Sequence, residues 1–119
     1  MRVIVCGGRD YDDCMILRRA LFAIHEGPGG PIKMLFHGNA RGADTEAARW
    51  AREFNVTAHA CPADWTKHGR AAGPIRNKHM LGQGIDLVVA FPGGRGTRNM
   101  IKQAEAAGVK VVQPAVTAA

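Results

Sequence analysis

Aromatic residues and paired cysteines are scarce in this sequence of 119 residues. Only 6% of the residues are Phe, Trp or Tyr, so the core must be built mainly from aliphatic side chains and alanine. The three cysteines, Cys6, Cys14 and Cys61, form no CxxC pair. This pattern indicates neither a disulfide framework nor a zinc ribbon. Free thiols are typical of a reducing compartment, and we therefore expect a cytoplasmic protein.

Several functional patterns are also missing. No apolar run approaches the roughly 20 residues that cross a bilayer, and Met1 leads straight into a predicted strand, so we expect no membrane segment or signal peptide. The sequence contains neither GxGxxG nor GxxxxGK[ST], which argues against a standard dinucleotide fold and a P-loop NTPase. His25, His59, His68 and His79 lack metal-ligand spacing, so no structural metal is expected. We also expect no required cofactor. A Mg²⁺ ion between a phosphate and Asp10 or Asp64 remains compatible with the sequence.

Glycine and positive charge are abundant instead. The chain has 15 glycines and a formal net charge of +6. The charge favours anionic partners, either nucleotides or nucleic acid. The arginines are spread along the chain without a basic block, so a solvated basic surface explains the charge equally well. The length predicts one domain over 1–119, with a tail from about residue 114.

Apolar runs alternate with segments of helical period. The predicted strands are 2–6, 33–37, 56–61, 85–90 and 109–112, and they read as continuous apolar runs, which is typical of strands covered on both faces. Stripes such as Leu17, Ala20, Leu21 and Ile24 mark the helices between them. We predict an irregular connection over 62–73, with a helix starting at Pro74. The pattern predicts an α/β, Rossmann-like three-layer sandwich, in which helices cover both faces of a parallel sheet of about five strands.

Glycine-bearing turns follow the predicted strands, so they should meet at the carboxyl edge of the sheet, where such folds bind ligands. The turn Phe91–Thr97 leads from a buried strand into a helix, an arrangement that directs backbone N–H groups at an anion. Its glycines would allow positive φ angles and close approach of a ligand, and Thr97 adds a hydroxyl. We interpret this turn as a phosphate-binding loop; a tight structural turn is the alternative.

The other candidates gather around that loop, and each has a structural alternative. Arg9 and Arg41 could clamp a phosphate or be solvated. Asp44 could hold ribose hydroxyls or complement a helix dipole. His37 could contact phosphate or simply pack at its strand end. The predicted ligand-binding residues are Gly7, Gly8, Arg9, Asp10, His37, Gly38, Arg41, Gly42, Asp44, Asp64, Trp65, Arg76, Asn77, Pro92, Gly93, Gly94, Gly96 and Thr97. Trp65 could stack on a base or cover the sheet edge, Arg76 and Asn77 could cap a helix, and Trp50 is expected to pack.

Five motifs in order resemble those of the YspA/YpsA-related SLOG proteins, within the superfamily that includes the SMF/DprA and LOG proteins. They are MRVIVCGGRDY at 1–11, HGNARGAD at 37–44, PADW at 62–65, AGPIRN at 72–77 and FPGGRGT at 91–97. The resemblance covers nearly the whole chain. It implies a Rossmann-like fold whose strand-end loops bind a nucleotide or nucleotide-derived ligand, and it suggests a homodimer.

The resemblance to LOG phosphoribohydrolases is incomplete. Their similar loop is followed by acidic residues that support cleavage of an N-glycosidic bond, whereas this chain has Arg98, Asn99 and Met100 there. Arg76 resembles the LOG active-site arginine. We therefore expect a nucleotide-binding or sensor domain. The alternatives are hydrolysis of a nucleotide N-glycosidic bond, with Asp44, Asp64 or Asp10 as a substitute acid and Arg76 assisting, and DprA-like nucleic-acid binding.

Overall fold

A computed structural model of the protein describes residues 1–114. The tail predicted from about residue 114 therefore lies almost wholly outside the described residues. The elements follow the order β1 (Arg2–Cys6), α1 (Cys14–Glu26), β2 (Met34–His37), α2 (Ala43–Glu53), β3 (Thr57–Ala60), α3 (Trp65–His68), a 3-10 turn (Gly69–Ala71), α4 (Ala72–Leu81), β4 (Leu87–Ala90), α5 (Arg95–Ala106) and β5 (Lys110–Val112).

The five strands form one parallel sheet in the order β3-β2-β1-β4-β5. The central strands are buried, whereas β3 at one edge is exposed along its length. Strand order reverses between β1 and β4, so the chain leaves these neighbouring strands in opposite directions and opens a crevice between their carboxyl ends. The predicted α/β, Rossmann-like architecture is confirmed.

The core consists of two side-chain clusters on opposite faces of the sheet. Val3 and Val5 of β1 join one cluster with residues of α1 and α2, while Ile4 joins the other with residues of α4 and α5. This separation follows from the two-residue period of a strand, which sends alternate side chains to opposite faces. Trp50 is fully buried in the first cluster, as predicted. The helices therefore cover both faces of the sheet, which makes three layers.

The connection over 62–73 is more regular than predicted. It contains α3 and the 3-10 turn, and α4 begins at Ala72, two residues before Pro74. Glycine and proline led us to expect a loop, but Pro74 falls in the first turn of α4, where a missing N–H removes no helical hydrogen bond. Gly69, with φ of 55°, makes the turn that separates α3 from the next helical segment.

Helix α2 ends at Glu53, and Phe54, directly after it, is 36% exposed. Asn55 follows with φ of 57°, a left-handed conformation typical of helix ends. None of the helices within residues 1–114 is long and apolar enough to cross a membrane.

Candidate ligand-binding site

A cavity of about 570 Å³ lies over the carboxyl edge of the sheet, which we call the main cavity. Its walls come from the end of β1, the loops after β1, β2, β3 and β4, the start of α2, helices α3 and α4, and the start of α5. They comprise Val5, Cys6, Gly7, Gly8, Arg9, Gly38, Asn39, Ala40, Asp44, Pro62, Ala63, Trp65, Gly73, Arg76, Asn77, Met80, Gly94, Arg95, Gly96 and Thr97. The volume falls within the range of about 300–1,000 Å³ that is usual for small-molecule sites.

The loops after β1 and β4 are joined across the crevice. The Gly8 N–H donates to the Pro92 carbonyl at 2.8 Å. A Cβ on Gly93 would overlap Thr97 Oγ1 and lie 2.7 Å from Gly8 N. Gly93 is therefore required by close packing of the two loops. None of Gly93, Gly94 and Gly96 has a positive φ, so the positive φ angles expected for this loop are absent.

The start of α5 is open toward the main cavity. Gly94 is the N-cap residue, no side chain caps the helix, and its first turn has no acidic residue. A Cβ added to Gly94 or Gly96 would meet no protein atom within 4 Å. The first N–H groups of a helix lack partners within the helix and, with the helix dipole, form a site for an anion. Thr97, 7% exposed, adds its side chain to the same wall.

Asp44 holds the loop after β2 in place. Its Oδ2 accepts hydrogen bonds from Gly38 N at 3.0 Å and from Ala40 N at 3.1 Å. Burial raises the pKa of the Asp44 carboxyl above its usual value, whereas these amides and the positive charges of Arg76 and Arg9 act in the opposite direction. Asp44 lines the cavity, but much of its hydrogen-bonding capacity is used by its own loop.

Arg76 and Asn77 connect four segments around the cavity. Arg76 Nη1 donates to the carbonyls of Gly38, at 2.9 Å, and Cys61, at 3.2 Å, and its Nε donates to Asn77 Oδ1 at 2.9 Å. Asn77 Nδ2 in turn donates to the Gly96 carbonyl at 3.2 Å. This chain links the loop after β2, the end of β3, α4 and the first turn of α5. It holds a half-buried guanidinium in a fixed position at the wall.

The lining of the main cavity carries more positive than negative charge. Its cations are Arg9, Arg76 and Arg95, and Asp44 is the one carboxylate among its lining residues in the described part of the chain. Trp65 is 52% exposed and lines the same cavity, with the edge of its indole next to Gly73. The wall therefore offers backbone donors, cations and one accessible aromatic face.

Some predicted ligand residues lie elsewhere. Asp10 and Arg41 point to solvent, where their side chains are 98% and 78% exposed and form a long ion pair of 3.8 Å. Asp64 caps α3, because its Oδ1 accepts from Lys67 N at 3.0 Å, and it lines a separate depression. None of the three lines the main cavity, because loop and capping geometry directs their side chains away.

The remaining predicted residues outside the lining support the loops or face another layer. Pro92 and Gly93 pack against Gly8. Gly42 has φ of 81°, and a Cβ there would lie 2.6 Å from the Arg9 carbonyl oxygen. His37 shares the α1–α2 face of the sheet with Leu35 and lines a second cavity beside α2. Burial, and then the charge of Arg76, lowers the pKa of His37.

Sequence reasoning missed three notable residues of the main cavity. Asn39 has φ of 60°, which is uncommon for a residue other than glycine. Arg95 lies between Gly94 and Gly96 in the sequence, and this position within the predicted phosphate-binding loop could have marked it as a ligand residue. Cys6, the last residue of β1, packs against one core cluster and also lines the cavity. Burial raises the pKa of the Cys6 thiol to about 12, so this side chain is not a nucleophile near neutral pH.

A metal site was not predicted from the histidines, and a Mg²⁺ ion was placed only beside Asp10 or Asp64. Both carboxylates lie outside the main cavity. Residues 1–114 contain no group of three or more His, Cys, Asp or Glu side chains that could hold a metal ion.

The sequence matches one family model and a similar phage protein. The model of the YspA, cpYpsA-related SLOG family matches residues 1–68. The Gene 61 protein of Mycobacterium phage D29 is 41% identical over 119 residues, a match that covers 93% of this chain and 94% of that protein.

Two solved structures illustrate how widely the fold is shared. The structure of TM1055 superposes with a TM-score of 0.67 and 21% identity, covering 92% of this chain and 71% of the other. DNA processing protein A (DprA) from Streptococcus pneumoniae gives a TM-score of 0.53 and 15% identity, covering 93% of this chain and 58% of the other. At these identities the likeness concerns the fold alone.

Proposed function

Because the chain belongs to the YspA, cpYpsA-related SLOG family, we propose that its main cavity binds a nucleotide or nucleotide-derived ligand and that the protein acts as a binding or sensor domain. The phosphate lies on the first turn of α5, against Gly94, Gly96 and Thr97. The observation that carries this proposal is the open N-terminus of α5, which no side chain caps and which faces the cavity.

The cations of the cavity support the same assignment. Arg76 is already fixed by hydrogen bonds to Gly38, Cys61 and Asn77, so little side-chain entropy is lost when it meets an anion. A planar guanidinium matches phosphate oxygens in geometry as well as charge. Arg9, on the loop after β1, and Arg95, the first residue of α5, can complete the neutralisation from the solvent side.

The opposite end of a nucleotide has a suitable partner in Trp65. The side chain is half exposed although the indole is large and apolar, and it faces the same cavity as the α5 turn. Stacking of a base on an aromatic ring contributes roughly 1–3 kcal/mol per base and does not select a particular base. We therefore assign the phosphate to the α5 wall and the base to the Trp65 wall of the same cavity.

A panel of small molecules tests the proposal by thermal unfolding. The panel contains nucleoside mono- and diphosphates, ADP-ribose and dinucleotides, each with and without Mg²⁺. A true ligand at about 100 times its dissociation constant should add about 2.7 kcal/mol to the free energy of unfolding. The matching nucleoside without phosphate serves as the control and should stabilise far less. Absence of stabilisation by every member at millimolar concentration would count against the proposal.

The catalytic alternative depends on Asp44, since Asp10 and Asp64 lie away from the main cavity. Glycosidic cleavage requires an acid or base within reach of the scissile bond. Asp44 Oδ2 is engaged by two loop amides, whereas Met100 is buried in the core and Asn99 Oδ1 accepts from Asn77 at 3.1 Å. The positions after the β4 loop therefore supply no acid, which favours binding over hydrolysis.

Asp44→Asn separates the two functions. The asparagine oxygen can accept the same two N–H groups, so we expect a folded variant that still binds the nucleotide that stabilises the wild type. We also expect neither protein to release free base from nucleoside monophosphates, as measured by chromatography. Asp64→Asn is the matched control outside the main cavity. If the wild type and Asp64→Asn released free base and Asp44→Asn did not, the protein would be a hydrolase that depends on Asp44, and the sensor proposal would be wrong.

A further inference from the structure

A second cavity, which we call the α2 cavity, has a volume of about 210 Å³ and lies on the other side of the loop after β2. Its lining comprises His37, Asn39, Ala40, Thr45, Ala48, Arg49 and Arg52. The helical members fall on one side of α2 at spacings of three and four residues. Asn39 and Ala40 line this cavity and the main cavity alike.

His37 supplies an N–H donor to the α2 cavity. The side chain is 6% exposed, and its Nδ1 accepts a hydrogen bond from Asn39 N at 3.0 Å. A neutral imidazole with Nδ1 as acceptor carries its proton on Nε2. No residue in 1–114 accepts a hydrogen bond from Nε2, and this atom is not among the buried polar atoms without a partner, so the donor is open to the cavity. A ligand atom in the cavity could be that acceptor.

The charges around the α2 cavity favour an anion as the occupant. Arg52 forms no ion pair with any residue within 1–114. Arg49 donates from Nη1 to Glu46 Oε2 at 3.2 Å, and the rest of its guanidinium is free to bind a second group. Thr45 Oγ1 donates to the Ala40 carbonyl and thereby fixes the loop against the helix. Two guanidinium groups and one neutral N–H donor thus surround a small space.

We propose that the α2 cavity is a second anion site, which takes a phosphate or similar oxyanion between His37 Nε2–H and the guanidinium groups of Arg52 and Arg49. Because Asn39 and Ala40 line both cavities, an anion in the α2 cavity should change the affinity of the main cavity for its ligand. The oxyanion is either a free ion or the second phosphate of a ligand that begins in the main cavity.

Titration with inorganic phosphate at constant ionic strength tests the site when it is followed through the His37 Nε2 nitrogen resonance in long-range ¹H–¹⁵N spectra. We expect a saturable shift. Arg52→Ala should weaken phosphate binding about tenfold or more, as expected for the loss of a charge-assisted hydrogen bond. Arg19→Ala, an exposed arginine of α1 outside both cavities, is the matched control and should titrate like the wild type. No saturable shift up to tens of millimolar, or equal shifts in the wild type and Arg52→Ala, would overturn the proposal.

Two further variants identify the source of the anion and separate this site from the main cavity. His37→Asn keeps an acceptor near the position of Nδ1 but lacks the Nε2 donor, so it should fold normally and bind phosphate more weakly by ³¹P line broadening. Gly96→Ala alters the main cavity alone and should leave the His37 response intact, even if no nucleotide binds there. If Arg52→Ala also weakens binding of a nucleotide that stabilises the wild type, the anion in the α2 cavity is a phosphate of that nucleotide. If Arg52→Ala weakens binding of inorganic phosphate alone, the anion is a free ion.

Discussion

Gly96→Ala is expected to weaken nucleotide binding at least tenfold without weakening the fold, whereas Gly93→Ala should destabilise the fold itself. The two glycines lie three residues apart at the start of α5. A Cβ on Gly96 meets open space, but a Cβ on Gly93 overlaps Thr97 Oγ1 and lies 2.7 Å from the backbone nitrogen of Gly8. The same substitution therefore separates a glycine required by the proposed ligand from one required by the protein.

The Gly96 side of this prediction follows from helix chemistry. Gly96 lies within α5, where alanine is the better helix former by up to about 1 kcal/mol, so the free energy of unfolding should stay constant or rise. The added methyl group occupies the approach of a phosphate to the first-turn amides. Loss of hydrogen bonds to a charged group, each about 1.5–3 kcal/mol, should weaken binding at least tenfold.

The Gly93 side follows from packing. The clash involves buried Thr97 and a backbone amide that is hydrogen-bonded to Pro92, so neither neighbour moves freely. Strain of this kind typically lowers the free energy of unfolding by about 1–3 kcal/mol. Urea unfolding and nucleotide titration of both variants measure the two effects. If Gly96→Ala bound nucleotide with wild-type affinity, the proposal that the phosphate binds at the start of α5 would be wrong.

Arg76→Ala is expected to eliminate nucleotide stabilisation and to lower the free energy of unfolding by about 2–4 kcal/mol. The variant removes three hydrogen bonds, to Gly38, Cys61 and Asn77, and leaves part-buried acceptors without donors. It also deprives the buried Asp44 of a neighbouring cation, which raises the cost of keeping that carboxylate charged. Urea unfolding with and without nucleotide gives both quantities.

Three companion variants sharpen the interpretation. Arg76→Lys retains the charge but cannot reproduce the Nη1 and Nε bonds together, so its stability and affinity should be intermediate. Arg70→Ala, at an exposed arginine of the 3-10 turn, should stay within about 0.5 kcal/mol of the wild type. Arg76→Ala should cost less stability in the Asp44→Asn background, because no buried carboxylate loses its cation. Equal losses in both backgrounds would contradict the electrostatic part of this explanation.

The fold could be predicted well because its signals are local and consistent. The apolar run at 2–6, the cap at Asp13, whose Oδ1 accepts from Ile16 N, and the left-handed Asn55 mark the ends of elements directly. The segment 62–73 was harder, because its glycines and Pro74 are typical of loops and also tolerated at helix starts. Asp64 was a usable signal for the start of α3, since aspartate is a favoured N-cap residue.

The sequence predicted that the site lies at the carboxyl edge of the sheet, but it did not predict which individual side chains point into it. Parallel topology brings the strand-end loops together whatever their sequence, so Gly8, Arg76 and Gly96 could be grouped without coordinates. Sequence does not fix the direction of a loop side chain, which is why Arg41 was grouped with them. The position of His37 on the α1–α2 face, away from the main cavity, was predictable in principle, since strand alternation puts its side chain on the same face as Leu35.

The hydrogen bond from Gly8 N to the Pro92 carbonyl belongs to two loops and to no helix or strand. Bonds of this kind break in small local openings that cost much less than global unfolding, so the Gly8 amide proton should exchange with solvent sooner than the amides of β1. An occupant held by both loops slows that opening. The rate at which one amide exchanges deuterium thus records whether the crevice is filled, even before the identity of its occupant is known.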